Sequence, residues 1–327
     1  MDATVIQTFT SPVVLFFVLG LLAAFARSDL AIPEAIAKGM SLYLMAAIGL
    51  KGGVAVAESG IDSSVLSALL IGVAASFLLP LIANALLRGF GKLDRINAGA
   101  VAAHYGSVSV VTYVTAVEIL TASSLVPQGY MVAVLAAMET PAILTGLLLA
   151  RGLASQPGRG RGELFHEVFL NASVVLLLGA FAIGMIAGPD GFAEVSPFFN
   201  AGFKGVLCLF LLDMGLIAAR RMMASRSVTW RLATIAIALP LVNGALGTLA
   251  GHAIGLDLGS TAAFGVLCAS ASYIAVPAAM RLALPEADPG IYLTMSLSIT
   301  FPFNILVNIG LITAFATMLA GEAAPFP

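Results

Sequence analysis

The sequence predicts an all-α polytopic membrane protein: ten transmembrane helices, folded as two inverted five-helix repeats. Three observations carry this. Of the 327 residues, 60% are apolar and 10% charged, against about 25% charged in an ordinary soluble domain. Apolar runs of about 20 residues, enough to cross a bilayer roughly 30 Å thick, recur along the whole chain. Motifs of the first half return, in order, in the second. The mean hydropathy is +1.05, and a formal charge of −2 argues against nucleic acid as a partner. Cys208 and Cys268 both lie in apolar runs and read as free buried thiols. Residues 1–12 hold no Lys or Arg, so the first apolar segment is expected to stay as an anchor, not leave as a signal peptide.

The spans fall at 10–26, 36–57, 64–87, 98–119, 129–150, 168–188, 197–219, 231–254, 261–283 and 290–320. The first repeat is then 1–150 and the second 168–327. Between them 151–167, RGLASQPGRGRGELFHE, reads as a flexible linker. Of the fifteen basic residues, all but Lys51 and Lys204 fall in alternate loops, on the side that holds the linker. By the positive-inside rule that side is cytoplasmic and both termini lie outside an inner membrane.

Leu79-Pro80-Leu81-Ile82 in span three matches Leu239-Pro240-Leu241-Val242 in span eight, and Gly49-Leu50 in span two matches Gly215-Leu216 in span seven. Thr140-Pro141-Ala142-Ile143 in span five lies where span ten has Phe301-Pro302-Phe303-Asn304. Because five spans is an odd number, the second copy enters the membrane from the opposite side. Inverted-topology repeats of this kind recur in secondary transporters, with the substrate at paired discontinuous helices.

Span four contains His104-Tyr105-Gly106-Ser107-Val108-Ser109 and span nine contains Cys268-Ala269-Ser270-Ala271-Ser272-Tyr273. Each has a Ser-x-Ser pair among small residues about ten residues into its span, hence about 15 Å deep at 1.5 Å per residue. A break there frees backbone N–H groups, for which Ser is a preferred cap. Two second half-helices starting at mid-membrane turn their positive ends toward one another and make a small anion pocket without a cationic side chain. The competing reading is close helix packing through small residues. Pro277 supports a break in span nine.

Glu139 and Asp213 lie deep in spans five and seven, where a carboxylate is costly and faces protein or water. Glu139 could help to hold Na⁺, or could bond backbone freed by the break or His104. For Asp213 a structural or gating pair with Lys51 or Lys204 is favoured. A single mid-membrane His makes no transition-metal site, while His166 and His252 lie near membrane edges. The motifs H-E-x-x-H and G-x-S-x-G are absent from the sequence, so no enzymatic activity is expected. A cation/proton antiporter is disfavoured because no Asp-Asp pair sits at the breaks, and a plain scaffold would not need matched breaks.

The strings SDLAIPEAIAKGMSLYLMAAIGLKGG, HYGSVSVVTYVTA, GYMVAVLAAMETPAIL, LFLLDMGL and ASASYIAVPAAMR resemble the SbtA-type sodium-dependent bicarbonate transporters over almost the full chain. The resemblance implies a homotrimer whose protomers have a gate domain (spans one, two, six and seven) and a core domain (spans three to five and eight to ten). It implies bicarbonate and Na⁺ held where two broken helices cross, with uptake by elevator-like alternating access. Carried over by motif, Gly106, Ser107, Val108, Ser109, Ala269, Ser270, Ala271 and Ser272 become the substrate-site residues. Ser109, Thr112, Glu139 and Thr300 become the sodium-site residues. A small trimeric PII-like protein acting from the cytoplasm would be a regulatory partner. The alternative is a sodium symporter of the same fold for another small anion or an organic anion.

Overall fold

The computed structural model describes residues 11–60, 63–151, 172–224 and 227–321. The expectations for the first ten residues, for linker positions 152–167 with His166, and for Arg226 lie outside the described residues. The described residues form helices and turns. In order these are α1 (Pro12–Phe25), α2 (Glu34–Ser59), α3 (Ser63–Gly89), α4 (Arg95–Gly106), α5 (Val110–Ala122), α6 (Met131–Glu139) and α7 (Pro141–Arg151). They continue with α8 (Ala172–Ser196), α9 (Phe203–Ala224), α10 (Trp230–Ala253), α11 (Leu258–Ala269) and α12 (Ala275–Ala283). Last comes α13 (Pro289–Leu319), which contains π-helical stretches at Thr294–Thr300 and Asn304–Asn308. Seven stretches of the described residues are long and apolar enough to cross a membrane. One of them, Val175–Ala224, takes in most of α8 and all of α9; Pro12–Phe25 and Leu258–Ala269 are apolar but shorter.

Two helices, α4 and α11, begin about three residues earlier than hydropathy alone suggests, because acidic caps start them outside the apolar run. Asp94 accepts the N–H groups of Ile96 and Asn97 and opens α4 at Arg95. Asp257 accepts the N–H of Ser260 and opens α11 at Leu258. Between the expected spans six and seven the helix is interrupted at Gly188, where span six is expected to end, and helical turns resume after it. Gly188, at φ 62°, bends α8 ahead of Pro189, and helical turns run on to Ser196. The positive φ suits glycine, which lacks the Cβ that would oppose it.

Two helix pairs are joined main chain to main chain. A Cβ on Gly20 of α1 would collide with the carbonyl of Leu212 in α9, and one on Gly215 of α9 with the carbonyl of Phe17 in α1. Likewise a Cβ on Gly53 of α2 would collide with the carbonyl of Phe181 in α8, and one on Gly184 of α8 with that of Leu50. Small residues are what membrane helices use to approach this closely. Elsewhere α4 packs between α3 and α7, and α10 packs along α11.

Side-chain donors reach several backbone carbonyls at the irregular points of these helices, one of them a carbonyl left open by a proline. Pro240 of α10 has no N–H to give the carbonyl of Ala236, four residues back. The Thr300 hydroxyl donates to that carbonyl at 2.6 Å. At the break between α6 and α7, Ser76 of α3 donates to the carbonyl of Met138 at 2.5 Å and accepts the N–H of Ala142 at 3.1 Å. Asn304 donates to the carbonyl of Ala269 at 3.0 Å, where α11 ends, and Asn308 donates to the carbonyl of Pro240 at 3.2 Å. These groups are buried, where an unpaired backbone carbonyl would be costly.

Candidate functional site

The two Ser-x-Ser segments are helix breaks, and they cross. α4 ends at Gly106, Ser107 and Ser109 are extended, and α5 starts at Val110. α11 ends at Ala269, Ser270 is extended, and α12 starts at Ala275. Gly106 is required where α4 stops: a Cβ there would collide with the ring of Pro80 in α3 and lie 3.0 Å from the Cβ of Ala142.

Serines satisfy the freed backbone. Ser109 caps α5, its hydroxyl accepting the N–H of Thr112 at 3.2 Å. In the other segment Ser272 accepts the N–H of Val276 at 3.4 Å, although the residue that precedes α12 is Ile274. Between the segments the N–H of Ser109 donates to Oγ of Ser270 at 3.0 Å, and that hydroxyl donates on to the carbonyl of Leu267 at 2.8 Å. The N–H of Ser272 donates to the carbonyl of His104 at 2.9 Å. Ser107 donates to the carbonyl of Glu139 at 3.1 Å and so ties the first break to the one in span five.

A pocket of about 10 Å³ opens at the crossing, lined by Met45, Val108, Ser109, Val110, Glu139, Ser272, Tyr273, Ile274 and Ala275. The first residues of α5 and α12 both line it, so two helix N-termini converge there. Such ends carry partial positive charge and unpaired N–H groups. Oε2 of Glu139 and the hydroxyl of Tyr273 are buried without a hydrogen-bond partner among the described residues. The lining therefore offers carboxylate, phenol and hydroxyl oxygens, the donor set for a hard cation, beside the helix ends that suit an anion.

Of the expected site residues, the structure brings Val108, Ser109, Ser272 and Glu139 together around the pocket. Ser107 and Ser270 stand just behind it, with their hydroxyls bonded within the protein. Gly106, Ala269 and Ala271 are buried and shape the breaks. Thr112 is buried on the first turn of α5 outside the lining. Thr300 stands apart: its one hydroxyl hydrogen goes to Ala236, so it accepts from the Tyr105 hydroxyl at 2.7 Å.

Two pairings expected for the intramembrane acids are corrected. His104 bonds Ser272, not Glu139. Asp213 pairs with neither lysine: Lys204 pairs with Glu118 at 3.4 Å, and Lys51 lies 4.2 Å over the ring of Phe203. Met45 and Tyr273 of the lining were not singled out from the sequence. Tyr273 was findable as the direct neighbour of Ser272, whereas Met45 carries no local signal.

Crossed helix breaks, converging N-termini and a buried carboxylate oxygen, set among long apolar helices, define a multi-pass membrane protein with an internal polar site. The chain belongs to the Na⁺-dependent bicarbonate transporter superfamily, whose family model matches residues 12–317. The match spans both breaks and every helix named above except the last two residues of α13. No curated protein matches the chain.

A first prediction concerns Ser270. Ser270→Ala removes the acceptor of the buried Ser109 N–H, and an orphaned buried donor costs about 1–3 kcal/mol. Bicarbonate uptake by reconstituted protein is expected to fall about tenfold or more with the protein still folded. Unchanged uptake would mean that this bond does not shape the site.

Proposed function

We propose that the protein is a secondary active transporter that takes up bicarbonate with Na⁺ by elevator-like alternating access. The observation that carries this reading is the crossing itself. Two helix N-termini meet at a pocket where Glu139 and Tyr273 present unpartnered oxygens, so anion and cation chemistry lie side by side. Glu139, Ser109 and Tyr273 are the cation ligands in this proposal. Backbone N–H groups of the two breaks, with Ser109 and Ser272, form the anion side, and Ser107 and Ser270 hold its backbone from behind. At about 10 Å³ the pocket accepts one water-sized particle. It therefore suits a bare Na⁺, and the four heavy atoms of bicarbonate need Tyr273–Ile274 to move aside. Na⁺ offsets the charge of bicarbonate, so the loaded site crosses the membrane with less net charge than the anion alone would give it.

The ten-span inverted repeat is part of the same proposal. It is supported by the exchanged partners of the two halves: α1 seats on α9 as α8 seats on α2, with Gly215 and Gly49 at the matching positions. We assign α1, α2, α8 and α9 to a gate domain and α3–α7 with α10–α13 to a core domain. The assembly proposed is a homotrimer in an inner membrane with both termini outside. A cytoplasmic PII-like regulator is proposed on family resemblance alone, and absence of binding in a pull-down in every nucleotide state would remove it.

The test is uptake of labelled bicarbonate into proteoliposomes with and without an inward Na⁺ gradient, with choline as the replacement cation. Uptake that requires Na⁺ is expected. Uptake unaffected by choline replacement would exclude symport. Competition by unlabelled nitrate, formate or sulfate decides whether another small anion is the substrate.

A further inference from the structure

We propose that His104 is the positioning residue of the crossing, held in a single tautomer so that its Nδ1–H fixes the backbone of Ser272 beside the pocket. The inference rests on the reading of the crossing as the substrate site. His104 lies in the last turn of α4 and is fully buried. Its backbone carbonyl accepts the N–H of Ser272 at 2.9 Å, and its ring Nδ1 lies 2.5 Å from the carbonyl oxygen of Ser272. One residue of the first half thus grips both backbone polar groups of one residue of the second.

The tautomer follows from the partner. A carbonyl oxygen can only accept, so Nδ1 carries the hydrogen and, in a neutral ring, Nε2 is left as a lone pair. Nε2 is buried without a hydrogen-bond partner among the described residues. An imidazolium would bury an N–H there with nothing to receive it, a far greater cost than an idle lone pair. The ring plane is set by stacking on Tyr292, with centroids 4.7 Å apart and planes 25° from parallel.

The consequence falls on Ser272. Its carbonyl, whose negative end would oppose an anion, is engaged by His104. Its hydroxyl accepts from the start of α12, and Ser272 and Tyr273 line the pocket. The clamp occurs once. At the offset that aligns Ser107 with Ser270 and Ser109 with Ser272, the second half has Leu267 opposite His104. The unwound stretch after Ala269 is therefore held from the other repeat at two points, Ser270 by the N–H of Ser109 and Ser272 by His104, and the imidazole is the one side chain that engages the Ser272 carbonyl.

Asparagine places its amide nitrogen close to where histidine has Nδ1, and glutamine close to Nε2, so the two replacements separate the tautomers. In proteoliposomes His104→Asn is expected to keep substrate KM within about threefold of the parent, and His104→Gln to raise it about tenfold with the maximal rate unchanged, the scale of one hydrogen bond. Nitrogen-15 spectra of histidine-labelled parent protein in bilayers, without substrate and assigned by difference against His104→Asn, should show Nδ1 protonated and Nε2 bare. A protonated Nε2, or a glutamine variant as good as the asparagine one, overturns the proposal. Should neither variant fold, the His104 signal is assigned in protein whose other two histidines, His166 and His252, are replaced by glutamine, and that spectrum decides. Parent protein that takes up no bicarbonate would remove the functional reading instead, because the tautomer is read without substrate.

Discussion

Glu139→Gln is expected to lower the apparent Na⁺ affinity of uptake at least about a hundredfold, because a buried charge that loses its partner costs about 3–5 kcal/mol. Glu139 supplies the one carboxylate among the described lining residues, and its Oε2 has no hydrogen-bond partner there. The glutamine keeps the size and one oxygen, so the fold should survive while the charge that balances Na⁺ is lost. The measurement is the Na⁺ activation curve of bicarbonate uptake in proteoliposomes, with thermal melting as the control for folding. An unchanged curve would refute the sodium role of Glu139. A protein that fails to fold would instead give the carboxylate a structural task.

Gly106→Ala should abolish uptake and lower the melting midpoint. The new Cβ would overlap the ring of Pro80 and press on Ala142. The Pro80 ring is bonded to its own backbone inside α3 and cannot turn away as a flexible side chain could. Overpacking costs about 1–3 kcal/mol, occasionally more, and here the strain falls on the residue where α4 gives way to the extended segment. If the steric account is correct, the double variant Gly106→Ala with Pro80→Ala recovers part of both losses, since contacting residues couple. Strictly additive losses would count against it.

Much of this was legible in the chain because membrane folding leaves few choices. Apolar runs marked the long helices, and the breaks showed as small-residue stretches containing Ser, the residue that can cap freed backbone. What stayed hidden depends on azimuth and on the main chain. Lys204 and Asp213 lie nine residues apart on one helix, two and a half turns at about 3.6 residues per turn, so they point to opposite faces. Depth alone had suggested a pair. His104 is one of the partners the sequence offers Glu139, yet it bonds a carbonyl, which no residue identity announces. Thr300 looked like an ion ligand through its hydroxyl, and only the gap that Pro240 leaves at Ala236 explains where that hydroxyl goes. Asp94 and Asp257 sit outside the apolar runs they begin, so hydropathy placed those helix starts a few residues late.

The glycine contacts between α1 and α9, and between α2 and α8, bear on how such a molecule could deform. Where two side chains meet, a change of rotamer lets one slip past the other. Where a carbonyl rests on an α-carbon, as Leu212 does on Gly20 and Phe181 on Gly53, there is no rotamer to change. Each of these helix pairs is stiff against sliding and twisting along its seam. Relative travel is left to faces built from larger groups, such as the edge-on contact of Phe17 in α1 with Phe301 in α13, whose ring centroids are 5.3 Å apart. Aromatic edges of that kind can serve as bearings, while the glycine seams act as welds.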